Sequence, residues 1–443
     1  MTQTQSAPPA AWSPPAQQPA SPAVQTRGSQ ALSRLGPIAE WFEGTPGRMR
    51  AFLLLAAVMS VVFGLAAAQG FRQSDGALKR AEANAAQLVR IQAIHTNLVS
   101  ANADATNAFL VGGLEPSDQR QHFVDSMANA AKLIAEAATA QPADRDALGA
   151  LNQTLIRYEG LIEQARANNR QGLPIGSQYL KDANAVLQED SLPLVKALVQ
   201  ANEKRVDTEF DGVSHGTIWI VVAGLLTLVV FAATLSWLAR RTHRYVNVPI
   251  AAGAALVLLI TVIGGVALSS ASGDASDTRA NAYSKTLALS RARIAAYDAR
   301  SNESLTLIAR GSGDAFDKAY NAAAAEVDNQ LGKSTVDGLQ SSWNEYKRVH
   351  GEVRKADATQ GNWDAAVAMA VGKTTTDNNS VTTFKAFDES SAEQLKSTGE
   401  AVASELSDSR DGLPPIGWLG LPIGIAAALL VAWGMSQRLE EYR

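Results

Sequence analysis

Four stretches without a charged residue, Ala51 to Ala68, Ile218 to Leu238, Val248 to Leu268 and Ile416 to Met435, constrain this chain more than any other feature. Each approaches the roughly 20 apolar residues with which an α-helix crosses about 30 Å of hydrocarbon. Lipid offers the backbone no hydrogen-bond partner, so segments of this kind cross as helices. Trp219 and Trp237 bracket the second stretch, and Trp418 and Trp433 the fourth, as expected for indole rings that favour the headgroup layer.

Charge sets the expected orientation. The short flanks hold nine arginines, at 27, 34, 48, 50, 240, 241, 244, 438 and 443, against four glutamates, a net of +5. The two long segments hold the remaining 30 basic and 39 acidic residues, a net of −9. The positive-inside rule then predicts a multi-pass protein of the plasma membrane with both termini and the middle loop in the cytoplasm. Cysteine is absent, which excludes disulfides, thiolate catalysis and cysteine-bound metal. The first span is read as retained, although Arg48 and Arg50 ahead of an apolar run give it the look of a signal peptide.

The reading along the chain is a Pro-rich cytoplasmic tail over 1–48, a first span over 49–69 and an outer segment over 70–214. A second span follows over 216–239, then a loop over 240–247 and a third span over 248–268. The second outer segment covers 269–412, the fourth span 415–435, and 436–443 is a short tail. Six prolines between Pro8 and Pro22 give the first tail a composition that buries no core. Within it Leu32, Leu35, Ile38, Trp41 and Phe42 recur at helical spacing and suit a membrane-surface anchor.

Both outer segments are Ala-rich without alternating β-branched runs, which predicts helices and no sheet. Gly112, Gly113 and Pro116, then Gln141 and Pro142, then Gly172 and Pro174 divide the first into four helices, with Pro193 a kink in the last. Leu88, Ile91, His95, Leu98, Asn102, Ala105 and Phe109 step alternately by three and four, the seam of a helical bundle. A shift of 199 carries this seam onto Leu287, Ser290, Ile294, Tyr297, Ser301, Ser304 and Ile308, and Trp219 onto Trp418. Leu151, Tyr158 and Gly172 match Leu339, Tyr346 and Gly361 at shifts of 188 or 189, so the second copy has shorter middle helices. The polar run around Gly372 to Ser380 predicts an irregularity in its last helix. The expected fold is all-α, with two up-down-up-down four-helix bundles in tandem on four transmembrane helices.

Chemistry is sparse. The histidines at 95, 122, 215, 243 and 350 show no metal-ligand spacing, and no phosphate-binding or nucleophile motif occurs, so neither enzyme nor cofactor is expected. Uncharged spans also argue against a transport path. Nothing suggests nucleic acid as a partner. Three groups of candidates remain. The distal tips are Gly112, Gly113, Leu114, Glu115, Leu173 and Ile175 in the first copy, and Gly311, Asp314, Asn362 and an exposed Trp363 in the second; they serve either as docking loops or as closures of the bundle ends. The polar seam is His95, Asn102, Asp104, Ser301 and Glu303, read as a pocket between helices, as register-fixing groups or, for Asp104 and Glu303, as solvated face charges. The cytoplasmic readout would lie at Arg240, Arg241, Arg244, Arg438 and Arg443, beside the span ends.

A span, an outer bundle and a returning span, with Asn102-Ala103-Asp104 running through Phe109-Leu110 to Gly112, resemble the sensor domains of bacterial chemoreceptors and histidine kinases. No output domain is expected after either return span. Two such modules, the Pro-rich tail and the ending Arg438-Leu439-Glu440-Glu441-Tyr442-Arg443 resemble the GlnX-type membrane proteins of actinobacteria. That resemblance implies a non-catalytic sensor or adaptor. An amino-acid-binding lipoprotein would dock outside, and a soluble Ser/Thr kinase similar to protein kinase G would respond inside. It implies no residue-level site. A cell-envelope scaffold and direct sensing of a small molecule stay open as alternatives, as does a homodimer.

Overall fold

The computed structural model describes residues 44–111, 114–242, 247–374 and 378–440, all helical apart from short connections and without a strand among them. The proline-rich tail with its candidate anchor, and Gly112, Gly113, Arg244 and Arg443 of the candidate sites, lie outside the described residues.

Helix α1 (Gly44–Val111) runs unbroken for 68 residues, its one proline, Pro46, sitting in the first turn where the missing N–H costs nothing. Helix α2 (Ser117–Ala140) stops just before Pro142, α3 (Arg145–Arg170) closes on Gly172 at φ +69°, and α4 (Ile175–Ala185) follows. A π-helical turn, Val186–Ser191, joins α4 to α5 (Leu192–Thr242). Pro193 cannot donate to the carbonyl four residues back, and the widened turn before it absorbs that mismatch, so the rod continues.

The second repeat follows the same course with more interruptions. Helix α6 (Val248–Thr278) is capped by Asn247, whose Oδ1 accepts from Ile250 N, and a π-helical turn at Arg279–Tyr283 leads into α7 (Ser284–Ile308). Helices α8 (Asp314–Ser334), α9 (Leu339–Ala358) and α10 (Trp363–Ala370) are set off by Gly311, Gly338 and Gly361, all at positive φ. The irregularity near Gly372 is a full break, and α11 (Ser380–Asp411) begins afresh with Asn379 Oδ1 accepting from Thr382 N. Pro414 and Pro415 separate it from α12 (Ile416–Glu440).

Four stretches of helix are long and apolar enough to cross a membrane. There α1, α5, α6 and α12 pack in a ring around Phe63, Phe231, Val257 and Val431. Small residues allow the approach: a Cβ on Gly64 would lie 2.5 Å from Gly420 O, and one on Gly424 would lie 2.6 Å from Ser60 O. Hydroxyls in this zone bond back to their own helices, as Ser60 does to Ala56 O and Thr261 to Val257 O, and Thr227 also reaches Met59 O of α1 at 3.2 Å. Leucine, isoleucine and valine side chains such as Val58, Val229, Val266 and Leu429 point outward.

Beyond the apolar zone α1, α5 and α6 continue, with α11 in place of α12, as a stem with one shared core, Leu78, Leu88, Phe210, Ala275, Tyr283 and Leu406. The stem then divides into two heads. The first encloses Ile91, Leu98, Leu148, Leu155 and Leu198; the second encloses Leu289, Trp343, Tyr346, Phe384 and Phe387. The heads are not independent, because the parallel helices α1 and α7 pack on each other and Val99 and Ala103 of α1 belong to the second core. Asn102 Nδ2 donates to Ser301 Oγ at 2.8 Å, a pair 199 residues apart. Residues related by the repeat therefore touch each other, which places them on a pseudo-twofold axis between the copies.

The two sides of that axis differ. On one side Arg291 pairs with Glu203, and Arg279 with Asp207 and Asp211, tying α5 to the second repeat. On the other side Val402 and Leu406 stand at the positions equivalent to Glu203 and Asp207, and a cavity of about 550 Å³ opens between α1 and α11.

Candidate functional site at the tip of the first head

The first head ends in a charged cavity of about 290 Å³ where α1, α2, α3 and α4 converge. Helix periodicity supplies the apolar wall, Ala105, Ala108 and Phe109 from α1, Ile162 and Ala165 from α3, and Leu180 from α4. Arg120 from the first turn of α2, and Glu163, Arg166 and Asn169 from the end of α3, supply the polar wall with Glu115. Residues three and four apart on α3 share a face, so Glu163, Arg166 and Arg170 come together.

Arg166 organises this wall. Its Nη1 donates to Glu163 Oε1 at 3.0 Å, its Nη2 to Glu115 Oε1 at 3.0 Å, and its guanidinium lies 4.1 Å from the centre of the Phe123 ring. Arg120 Nη1 reaches the same Glu163 oxygen at 2.8 Å. Asn169 Nδ2 bonds Phe109 O at 3.2 Å and closes the end of α1 against α3. Burial raises the proton affinity of Glu115, and Glu163 adds to the rise, against the pull of Arg120 and Arg170. Of the candidate tip residues, Glu115 is thus built into the cavity wall, while Leu114, also at its rim, is 85% exposed. Leu173 and Ile175 are exposed nearby on the surface. Arg120, Glu163, Arg166 and Arg170 were not singled out in the sequence; the only signal was three arginines beside short connections.

At the end of the second head the expectation of an exposed tryptophan fails. Trp363 is half-buried, its Nε1 donates to Leu307 O at 3.0 Å, and Arg310 stacks over the ring at 3.9 Å. Val353, Ala366 and Val371 form a small apolar cluster at this end with Leu307 and with Leu110 of α1. Gly311, Asp314 and Asn362 are exposed around it.

The seam residues go to different places. His95 is largely buried with Nε2 unpartnered, and burial pushes its imidazole down to about 4. Asn102 bonds Asn184 Oδ1, Ser301 Oγ and Tyr158 OH, linking both heads. Asp104 Oδ2 lies 2.6 Å from His122 Nδ1, and that bond raises the proton affinity of His122 against the opposing effect of burial. Glu303 is not a solvated face charge but is 1% exposed. It pairs with Arg300, lies 2.7 Å from His350 Nδ1 and accepts from Ser380 Oγ at 3.3 Å. Burial would raise its pKa, but the His350 hydrogen bond together with the Arg300 charge outweighs that and holds it below the ordinary glutamate value. Tyr320 stacks on His350 with ring centres 3.5 Å apart. Each repeat-related acid thus holds a histidine from elsewhere in its own head. Of the candidate readout, Arg240 and Arg241 are exposed in the last turn of α5, and Arg438 falls near the end of α12.

Residues 77–211 match the family of actinobacterial sensor domains. The match covers the first outer segment, tip cavity included, and suggests a sensor role for a membrane protein. No curated protein and no solved structure matches the chain.

Proposed function

We propose that the chain is a non-catalytic transmembrane sensor or adaptor whose two heads stand outside the cell on four spans, with both termini in the cytoplasm. The observation that carries this reading is the continuity of α1, a single helix from the apolar zone to the tip cavity. A continuous rod transmits a shift of an ångström or two along its length, the scale on which helical switches work. Outward-facing aliphatic side chains around the four-rod ring favour insertion in a bilayer.

In this reading an extracytoplasmic amino-acid-binding lipoprotein docks on the exposed Leu114, Leu173 and Ile175, and a cytoplasmic Ser/Thr kinase responds near Arg240 and Arg241. The test uses the absence of cysteine. Single cysteines at Leu114 and Leu173 carrying a crosslinker in intact cells should capture a lipoprotein, and capture of nothing but further copies of this chain would remove the docking partner. A cysteine at Arg241 should resist a membrane-impermeant label, and labelling there from outside would reverse the orientation. The cavity itself favours a second reading, in which the first head also senses a small molecule directly.

A further inference from the structure

The tip cavity of the first head carries positive charge that its own acids do not balance. Arg120, Arg166 and Arg170 line it against Glu115 and Glu163. Arginine keeps its charge at any physiological pH, so three cations face two carboxylates. Both Arg120 and Arg166 use the same oxygen of Glu163, and Arg170 forms no ion pair among the described residues. The Arg166 side chain is only 12% exposed, and its Nε–H is buried with no acceptor. A buried donor on a cation is seldom left unpaired where protein atoms alone decide, and its presence in a cavity wall calls for an acceptor from outside.

We propose that this cavity binds a small carboxylate of net charge −1, held by Arg166 and Arg170. A planar guanidinium matches a carboxylate with two parallel hydrogen bonds. A dianion such as phosphate would meet the fixed charges of Glu115 and Glu163, whereas a monoanion brings the cavity to neutrality. Phe109, Ile162 and Leu180 offer an apolar wall for a short carbon chain, and about 290 Å³ accommodates a small molecule of roughly ten heavy atoms. Bound there, the carboxylate bridges α3 to the end of α1. That consequence rests on the sensor reading, whereas the site itself does not.

The test is isothermal titration of the full chain in lipid nanodiscs with propionate, L-glutamate, glycine and inorganic phosphate as probes. Propionate or L-glutamate should bind at least ten-fold more tightly than phosphate or glycine. Arg166→Lys, which keeps the charge but loses the fork, should weaken that binding at least ten-fold, and Arg170→Gln, at the exposed rim, several-fold with an unchanged melting temperature. Absence of heat with both carboxylates, preference for phosphate, or equal binding to both variants would overturn the proposal. Spin-label distances between Met49 and Arg240 separate the two readings. Binding without any change in that distance keeps the site and removes the relay; a change driven by a docked lipoprotein in a chain that binds no carboxylate does the reverse.

Discussion

The two heads arise from one repeated pattern and place their polar groups differently. In the first, the axis position is the neutral Asn102, its neighbour Ala101 is apolar, and the core is mostly aliphatic, built from Ile91, Leu98, Leu151 and Leu155 with Phe123 and Tyr158 among them. Its unbalanced charge lies at the tip, around an open cavity, while the buried Asp144 at the α2–α3 turn is paired with Arg205. In the second, Arg300 stands at the position of Ala101 and His350 at the position of Ile162, and both surround a buried Glu303. Its core is aromatic, with Trp343 between Tyr346 and Phe387 at ring distances of 5.1 and 5.3 Å. Its tip is closed by Trp363 under Arg310. A buried, fully engaged ion cluster tolerates little rearrangement, because moving one partner strands the others without water. A mostly aliphatic core with its unbalanced charges at an open end can shift at lower cost. The second head therefore has the construction of a fixed support, and the first that of a receiver.

The largest test of this contrast is Glu303→Ala, which leaves Arg300 and His350 buried without their partner and should cost about 3–5 kcal/mol in thermal unfolding of the full chain. The repeat-related Asp104→Ala, whose partner His122 is more than half exposed, should cost no more than about 1 kcal/mol. Equal losses would break the comparison. Asp144 comes next, as the buried acid that braces the first head: it accepts from Arg205, Asn202 and Gln87. Asp144→Ala should cost about 2–3 kcal/mol by leaving those donors unpaired. Burial raises the proton affinity of Asp144, but these three donors reverse that and hold its carboxyl below the ordinary aspartate value. The stability it contributes is accordingly complete above pH 3.8 and falls away as the pH drops below it.

Asp298 should show the opposite sign. It stands at the position of Val99, which enters the second core, and burial pushes its carboxyl from 3.8 up to about 7. The folded chain holds that proton up to about pH 7 while the unfolded chain releases it near 3.8, so stability declines as the pH rises through this window. Asp298→Asn should raise stability at pH 8 by about 1–3 kcal/mol and leave it nearly unchanged at pH 4. A gain that is the same at both values would mean that ionisation is not the cause. The smallest effects belong to the tips. Trp363→Ala removes a half-buried ring and a hydrogen bond and should cost about 1–2 kcal/mol, whereas Leu114→Ala, on an exposed residue, should stay within about 0.5 kcal/mol.

The sequence by itself determined what is local. Uncharged runs of about 20 residues fix the apolar rods, and steps of three and four fix which face turns inward. Glycines related by the repeat mark the turns, as Gly172 and Gly361 do at φ +69° and +84°. Part of the tip was legible for the same reason, since Leu114, Glu115, Leu173 and Ile175 lie beside helix breakers. Tertiary structure alone decided which helices meet. Periodicity shows that a face is buried and is silent about the partner, so nothing in the spacing of His350 and Glu303 announced their bond, and Arg120, Arg166 and Arg170 read as ordinary helix-end charges. The contact between Asn102 and Ser301 shows the division most clearly. The shift of 199 identified them as equivalent positions, but only the packing of α1 on α7 brought the two equivalents face to face, because a pseudo-twofold axis is a property of how copies dock and is written in neither copy alone.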